Sequence, residues 1–285
     1  SWRTGGSAEY FFEPVDSDDL TTVLMHFSDY PITWLGLGSN VLVRDGGISG
    51  LVISTTKGLN QLSWQDSHVL RVDCGVPCAK IAKESVKRGF TGAEFLAGIP
   101  GTIGGALAMN AGAFGGETWE LVNSARVINR AGNKTEIMPG DYATGYRHVA
   151  LPNDHWFIEA TLLFERTANA EASSELAGQA RIRELLSERA STQPTGVASC
   201  GSVFKNPSKD HAGRLIEAAG LKGFSIGGCS VSLKHANFIE NQDGANAEEI
   251  EQLIKHVQKI VLEQFGVLLE PEVRIIGNPS HEVAQ

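Results

Sequence analysis

A run of small residues between positions 92 and 113 constrains this chain more than any other feature. It contains almost no bulky polar side chain, and glycine recurs at positions 98, 101, 104, 105 and 112. Glycine weakens helices by about 1 kcal/mol per residue relative to alanine, and it also weakens strands. We therefore predict a segment that is neither an ordinary helix nor an ordinary strand. Close approach of the backbone to a ligand is the preferred interpretation, and a tightly packed Gly/Ala contact in the core is the alternative.

A second glycine cluster, Gly36-Leu37-Gly38-Ser39-Asn40, leads into a predicted strand at 40–43. A Rossmann fingerprint needs a third glycine and a following helix, whereas Val41 and a strand occupy those places. The Rossmann interpretation therefore fails. Successive backbone N–H groups, together with the Ser39 and Asn40 side chains, can still form an anion-binding nest. A tight hairpin that needs glycine for its dihedral angles explains the pattern equally well.

Composition limits the possible partners. The 285 residues carry a net charge of −9, which disfavours a general binder of nucleic acid. No apolar run approaches the roughly 18 residues that span a bilayer, and no signal-peptide pattern is visible. The four cysteines form no CxxC pair, as expected for reduced thiols. We therefore predict a cytoplasmic chain without membrane insertion. Because Ser1 runs directly into patterned sequence, we also expect that a preceding segment is missing.

Short strands mixed with helices predict an α+β fold. Helical spacing follows the N-cap candidate Asp16, and two further helices are predicted over 78–88 and over about 250–261. Two strands at 126–129 and 134–138 flank a predicted hairpin turn. A further strand is predicted at 202–204, and another at 273–276.

The small, polar stretch 166–175 predicts a domain boundary. We place a first domain at 1–168, divided into lobes of about 1–55 and 56–168, and a second domain at 169–285.

Five motifs, in order along the chain, carry a family resemblance. The two glycine segments, with Asn110-Ala111-Gly112, resemble the FAD-cradling segments of vanillyl-alcohol-oxidase-type flavoproteins, whose FAD domain is two-lobed. Further matches are Gly145-Tyr146-Arg147, the segment 199–207 and the segment 269–274. Together they resemble the UDP-N-acetylenolpyruvoylglucosamine reductase family from Trp2 to about Gly277. Val149 replaces a serine common in that family, and the chain resembles its shorter class, without a substrate-capping tyrosine loop.

The resemblance implies an FAD-binding domain followed by a smaller α+β substrate-binding domain. It implies that FAD, reduced by NADPH, reduces the enolpyruvyl group of UDP-N-acetyl-3-O-enolpyruvylglucosamine to give UDP-N-acetylmuramate for peptidoglycan synthesis. We expect a monomer or a weak dimer. The implied cofactor-binding residues are Gly36, Gly38, Ser39, Asn40, Gly98, Ile99, Pro100, Gly101, Gly104, Gly105, Ala108, Asn110 and Gly112.

The resemblance also implies three catalytic residues. The Arg147 guanidinium would bind the substrate carboxylate bidentately. Ser202 would give a proton to C2, and Glu272 would carry a proton or pair with Arg147. Cys200 is the weaker candidate for an acid or nucleophile. Implied substrate-binding residues are Tyr146, Lys205, Asn206, Lys234 and Asn237, while His148 and His235 are interpreted as structural, and no metal site is predicted.

Two alternatives stay open at this stage. A flavin oxidase of a small hydroxy acid would share the fold without needing the Ser202 and Glu272 pair. A non-catalytic binder of flavin or nucleotide-sugar would not need Arg147, Ser202 and Glu272 together.

Overall fold

The computed structural model describes residues 1–164 and 173–280. Six α-helices and seventeen strands are present in this part of the chain, together with two short 3-10 turns. The helices are α1 Ser17–His26, α2 Cys78–Lys87, α3 Ile103–Met109, α4 Ser173–Thr192, α5 Ala212–Ala218 and α6 Ala247–Phe265. The strands are β1 Ala8–Phe12, β2 Ile32–Leu35, β3 Val41–Val43, β4 Ile48–Ser54, β5 Leu62–Trp64, β6 Val69–Asp73, β7 Gly112–Ala113, β8 Gly116–Glu117, β9 Val122–Asn129, β10 Lys134–Ile137, β11 Thr144–Gly145, β12 His148–Val149, β13 His155–Leu163, β14 Ser225–Ile226, β15 Cys229–Val231, β16 Ile239–Asn241 and β17 Arg274–Ile276.

Local signals fix the ends of the longer helices. The Asp16 side chain accepts hydrogen bonds from the backbone N–H groups of Asp18 and Asp19, which confirms the predicted N-cap of α1. Helix α6 begins with a capping box between Asn246 and Glu249. It ends at Gly266, whose φ of +66° suits the left-handed C-cap that glycine adopts without strain.

The chain forms two compact units, each of them discontinuous. Unit 1 comprises Ser1–Tyr10, Gly38–Gly50 and Ala190–Gln285, and unit 2 comprises Phe11–Leu37 and Leu51–Arg189. Unit 1 thus takes in segments from both sides of the boundary predicted at 168/169. That boundary falls in residues 165–172, outside the described residues, and stays a prediction.

Unit 2 is built on a five-stranded antiparallel sheet in the order β10-β9-β13-β6-β5. Apolar side chains from this sheet pack in one core with residues of α2 and α3. The predicted hairpin is confirmed by antiparallel pairing of β9 and β10 around Gly132, whose φ is +80°. Core members from the sheet and the two helices are Leu70, Val72, Val127, Leu162, Ile81, Val86, Ile103 and Leu107.

Unit 1 joins the beginning of the chain to its end. Strand β3 pairs in parallel with β17, with Leu42 opposite Ile275. Trp2 is 1% exposed and donates its indole N–H to the Ile239 carbonyl at 2.7 Å. The apolar face of α6 packs in the same core, which contains Leu42, Phe204, Leu215, Ile250, Leu253, Ile254 and Val257.

Two sequence expectations are corrected. Residues 103–109, predicted to be neither helix nor strand, form α3, because Thr102 caps the segment and tertiary contacts hold it. The strand predicted at 202–204 is wrong, since only Phe204 forms an isolated bridge, with Pro271. In the two described stretches, no helix combines the length and apolarity needed to cross a bilayer.

Candidate functional site

Gly36, in the glycine segment 36–40, lies against the start of α3 in unit 2. A Cβ atom at Gly36 would lie 2.6 Å from the Thr102 Oγ1 atom, so a side chain has no room there. Thr102 is the N-cap of α3, and its hydroxyl accepts from the Gly105 N–H group. The sequence analysis missed Thr102, although threonine is among the residues preferred at helix N-caps.

Adjacent glycines at the start of α3 have different reasons to be glycine. A Cβ at Gly104 would lie 2.8 Å from the Cys74 Cβ atom and 2.9 Å from the Cys74 carbonyl oxygen. Gly105 is exposed, and a Cβ there would meet only Thr102 Oγ1, at 3.8 Å. Gly104 therefore serves packing, while Gly105 leaves an open, side-chain-free surface.

The N–H groups at the start of α3 are partly used inside the protein. Ile103 donates to the Val76 carbonyl and Gly104 to the Cys74 carbonyl, both at 2.8 Å. The expectation of bare N–H groups throughout the small-residue run is therefore corrected at Ile103 and Gly104, and the Gly105 N–H also has an acceptor in the Thr102 hydroxyl. The packing interpretation applies at Gly104, whereas close approach to a ligand stays a prediction.

Asn110 organises the end of the small-residue run. It is 3% exposed and adopts a left-handed conformation with φ of +44°. Its Nδ2 donates to Glu117 Oε2 at 2.7 Å and to the Gly145 carbonyl at 3.2 Å, and its Oδ1 accepts from the Trp119 N–H at 3.2 Å. The amide, predicted to contact the cofactor, thus has a structural role through Glu117, which the sequence analysis did not single out.

Arg147 is anchored to this same segment. Its Nη2 donates to the Gly112 carbonyl at 2.9 Å and its Nη1 to the Asn110 carbonyl at 3.4 Å. Its Cζ atom lies 4.9 Å from the centre of the Tyr146 ring, within reach of a cation–π interaction. A φ of +53° shows that the backbone at Arg147 is in the left-handed region, which few side chains adopt. The guanidinium is thus oriented by three neighbours before any ligand arrives.

Unit 1 brings Ser202 and Glu272 onto neighbouring segments. The Glu272 N–H donates to the carbonyl of Val203 at 2.8 Å, one residue after Ser202. Asn40 lies beside them, because its Nδ2 donates to the Glu272 carbonyl at 3.0 Å. The Asn40 carbonyl in turn accepts from the Arg274 N–H at 3.0 Å. The side chain of Asn40, predicted to bind the cofactor, therefore has a protein partner in this unit.

The Cys200 side chain lies beside residues 38–41 of unit 1. Its thiol donates to the Val41 carbonyl, with a sulfur–oxygen distance of 3.3 Å, and the residue is 3% exposed. Burial raises the pKa of the Cys200 thiol, which disfavours the reactive thiolate. The buried thiol is therefore a poor nucleophile, and the assignment of Ser202 as the acid stays a prediction.

Four predicted substrate-binding side chains have partners inside unit 1. Lys205 forms an ion pair with Glu270 at 2.6 Å. Asn206 Oδ1 accepts from the Ala212 N–H at 3.0 Å, at the start of α5, and Lys234 Nζ donates to the Ala190 carbonyl. Asn237, also predicted to contact the substrate, has a buried amide that is hydrogen-bonded on both sides to the backbone of Phe204.

The residues present fit a dinucleotide such as FAD. A pyrophosphate needs backbone approach without intervening side chains, and Gly105 provides an open surface of that kind. In unit 1, Gly38 has a φ of +63°, and Ser39 follows it directly in the chain. A hydroxyl beside bare backbone is a donor set suited to an anion.

Comparisons with known proteins agree with this architecture. An FAD binding domain matches residues 8–137, and the C-terminal domain of UDP-N-acetylenolpyruvoylglucosamine reductase matches residues 193–276. Fold and site thus define a flavin-dependent oxidoreductase. The reductase of Methylococcus capsulatus is 52% identical over 278 residues, covering 97% of this chain and 90% of the relative. The chain belongs to the UDP-N-acetylenolpyruvoylglucosamine reductase family.

Other comparisons point the same way. The reductase of Alkalilimnicola ehrlichii is 49% identical over 97% of this chain and 91% of the relative. A crystal structure of the Thermus caldophilus reductase matches with a TM-score of 0.80 and 29% identity, covering 93% of this chain and 91% of that one. The predicted α+β fold, with an FAD-binding domain before the C-terminal domain, is confirmed. The oxidase alternative is not favoured.

Proposed function

We propose that the chain reduces UDP-N-acetyl-3-O-enolpyruvylglucosamine to UDP-N-acetylmuramate, using FAD and NADPH, as a step in peptidoglycan precursor synthesis. Relatives that carry the name of this reductase match nearly the whole chain. Within the protein, the proposal rests on the register in unit 1 that puts Glu272 beside the Ser202 segment. An oxidase of a small hydroxy acid has no need of that arrangement.

Arg147 has the chemistry to hold the substrate carboxylate. FAD, when bound, would supply the hydride chemistry that links NADPH to C3 of the enolpyruvyl group. Negative charge then develops on the carboxylate side of the double bond, so fixed positive charge there lowers the barrier. A guanidinium stays protonated near neutral pH, and that of Arg147 is held by the carbonyls of Asn110 and Gly112. It therefore meets the charge without reorganising.

Ser202 is proposed as the proton donor to C2. A serine hydroxyl is a weak acid and needs a polarising neighbour. Glu272 is suited to this role, since its backbone is hydrogen-bonded to the residue after Ser202. Tyr146, Lys205, Asn206 and Lys234 stay proposed contacts of the UDP-sugar, and the glycine segments stay proposed contacts of FAD.

The cellular setting follows from this chemistry. We propose that the enzyme acts in the cytoplasm as a monomer or weak dimer, with no nucleic-acid partner and no membrane insertion. Because its product is a precursor of the cell wall, its loss would affect cell shape and division.

Visible absorption tests the proposal directly. Purified protein is reduced anaerobically with NADPH and then mixed with the enolpyruvyl UDP-sugar. Bleaching of the flavin band by NADPH and its return with the UDP-sugar are expected. A flavin band that stays bleached with the UDP-sugar but returns with oxygen would instead support the oxidase. A protein that stays colourless after reconstitution with FAD would remove the basis of the proposal.

A further inference from the structure

Asn237 occupies a special place next to the Ser202 segment. The residue is 3% exposed, and its backbone carbonyl accepts from the Val203 N–H at 2.9 Å. Its side-chain Oδ1 accepts from the Phe204 N–H at 3.0 Å, and its Nδ2 donates to the Phe204 carbonyl at 2.8 Å. Asn237 thus satisfies three backbone groups of the two residues that follow Ser202.

The opposite edge of the same segment is held by the segment that contains Glu272. The Val203 carbonyl accepts from the N–H groups of Glu272 and Val273, at 2.8 and 3.3 Å, and the Lys205 N–H donates to the Glu270 carbonyl at 2.9 Å. The 203–205 backbone therefore lies between Asn237 on one side and residues 270–273 on the other.

Regular strand pairing does not hold this arrangement. Phe204 forms only an isolated bridge with Pro271, and no strand passes through 202–204. Gly201, just before Ser202, has a φ of +74°. A Cβ atom added to Gly201 would meet no other atom within 4 Å, so no neighbouring group packs against that position. Backbone hydrogen bonds to Asn237 and to residues 270–273, together with the Asn237 amide, therefore fix the position of the segment without a regular sheet.

We infer that Asn237 is a positioning residue, whose buried amide fixes the register of Ser202 against Glu272 for proton transfer to the substrate. This inference rests on the proposed function, in which Ser202 supplies that proton. Small displacements of a reacting group, about 1 Å, can lower a rate about 100-fold. The amide is the group suited to this task, because it offers an acceptor to the N–H and a donor to the carbonyl of the same residue, Phe204.

The substitution Asn237→Asp tests the inference through pH. When the new carboxyl group is protonated, it can still donate to the Phe204 carbonyl and accept from the Phe204 N–H. When it is ionised, it can only accept, and its charge faces the carbonyl oxygen. Burial favours the protonated form. The rate of flavin reoxidation by the UDP-sugar, divided by the wild-type rate, is expected to fall at least tenfold, about 1.4 kcal/mol, as pH rises.

Two companion variants sharpen the measurement. Asn237→Ala is expected to reoxidise slowly at every pH, by about 10- to 100-fold, since it can neither donate nor accept. The matched control is Asn241→Asp in β16. The Asn241 amide bonds the backbone of Trp2 and Ala245 instead of the 203–205 segment. This control is expected to keep both half-reactions even where its stability depends on pH.

The reductive half-reaction separates positioning from general damage. Stopped-flow reduction of FAD by NADPH is expected to stay within about twofold of wild type in both Asn237 variants, because that step uses no proton from Ser202. A flat pH ratio for Asn237→Asp, or equal slowing of both half-reactions, would overturn the inference. Failure of the wild-type protein to reoxidise with the UDP-sugar would instead overturn the proposed function, and it would be seen before any variant is compared.

Discussion

At the scale of single residues, variants of Gly104 and Gly105 test packing and the proposed contact with FAD separately. Gly105→Ala adds a methyl group that meets only Thr102 Oγ1 at 3.8 Å. Alanine also has the better helix propensity, by up to about 1 kcal/mol. We expect the free energy of unfolding of the apoprotein to be unchanged or higher, while affinity for FAD falls about tenfold or more, which is about 1.4 kcal/mol. Fluorescence titration with FAD measures the affinity.

Gly104→Ala is the matched variant. Its methyl group would lie 2.9 Å from the Cys74 carbonyl oxygen, so the backbone has to shift. A loss of about 1–3 kcal/mol in the free energy of unfolding is expected, typical of overpacking. Equal FAD affinity for Gly105→Ala and wild type would contradict the assignment of Gly105 as a cofactor contact.

Ser202→Ala tests the proposed proton donor. Reduction of FAD by NADPH should be unchanged, whereas reoxidation by the UDP-sugar should slow by about 10²- to 10⁴-fold, the usual contribution of a general acid. Ser199→Ala, a change of the same kind three residues earlier, serves as the control. Equal slowing of both half-reactions in Ser202→Ala would refute the proton-donor assignment.

Residue types in order indicated which residues to propose for the site, but not the partners of each side chain within the protein. The motifs picked out Asn110, Asn40 and Asn237 as ligand contacts, whereas each amide also binds the protein backbone. Asn110 and its acceptor Gly145 lie 35 residues apart along the chain, and Asn40 and its acceptor Glu272 lie 232 residues apart. No local sequence pattern indicates such distant partners. Thr102 and its cap were within reach of local reasoning.

At the scale of elements, α6 is tied to the end of β3 by charge. Arg44 follows β3, and its guanidinium binds Glu251 of α6 at 2.8 Å. The hydrogen bond from Arg44 is the main cause that lowers the pKa of Glu251 from 4.5 to about 2, with Lys255 adding to it. A carboxyl group with a lowered pKa stabilises the folded state above its unfolded pKa and loses this effect as pH falls.

Glu251→Gln should therefore lower the free energy of unfolding by on the order of 2 kcal/mol at pH 7, a value reduced for the exposure of Arg44. The difference from wild type should shrink as pH falls from 4.5 towards 2. Urea unfolding across pH measures both. Glu263→Gln on the same helix is the control, since Glu263 is exposed and lies 3.9 Å from Lys259. A difference from wild type that does not change with pH would contradict this account.

Elements with strong end signals were predicted well, and elements made by tertiary contacts were not. Asp16 marks a predicted helix start, whereas Gly266 ends α6 with a local signal that the sequence analysis did not use. Helix α3 has no polar face to reveal its period, and the carbonyls of Cys74 and Val76 hold its first turn. The 202–204 segment has strand-like residues, but the Asn237 side chain takes the place of a neighbouring strand.

At the scale of the whole molecule, unit 1 depends on both ends of the chain. A fragment of residues 169–285 lacks Trp2 and β3, although both belong to the core of the unit. Loss of a buried tryptophan alone removes about 3–5 kcal/mol. The fragment is therefore expected to show no cooperative thermal unfolding by circular dichroism. Addition of residues 1–50 as a second chain should restore part of the transition, and cooperative unfolding of the fragment alone would support the linear boundary at 168/169.

The bond between Trp2 and Ile239 spans 237 positions and so also sets an order of events during synthesis. At about 5–20 residues per second, a ribosome takes roughly 12 to 47 s to pass from one partner to the other. During that interval the indole lacks its hydrogen-bond acceptor and β3 lacks the strand with which it pairs, while the sheet of unit 2 can already pair. Trp2 and β3 are therefore synthesised well before they can reach their final place, after the strands of the unit 2 sheet.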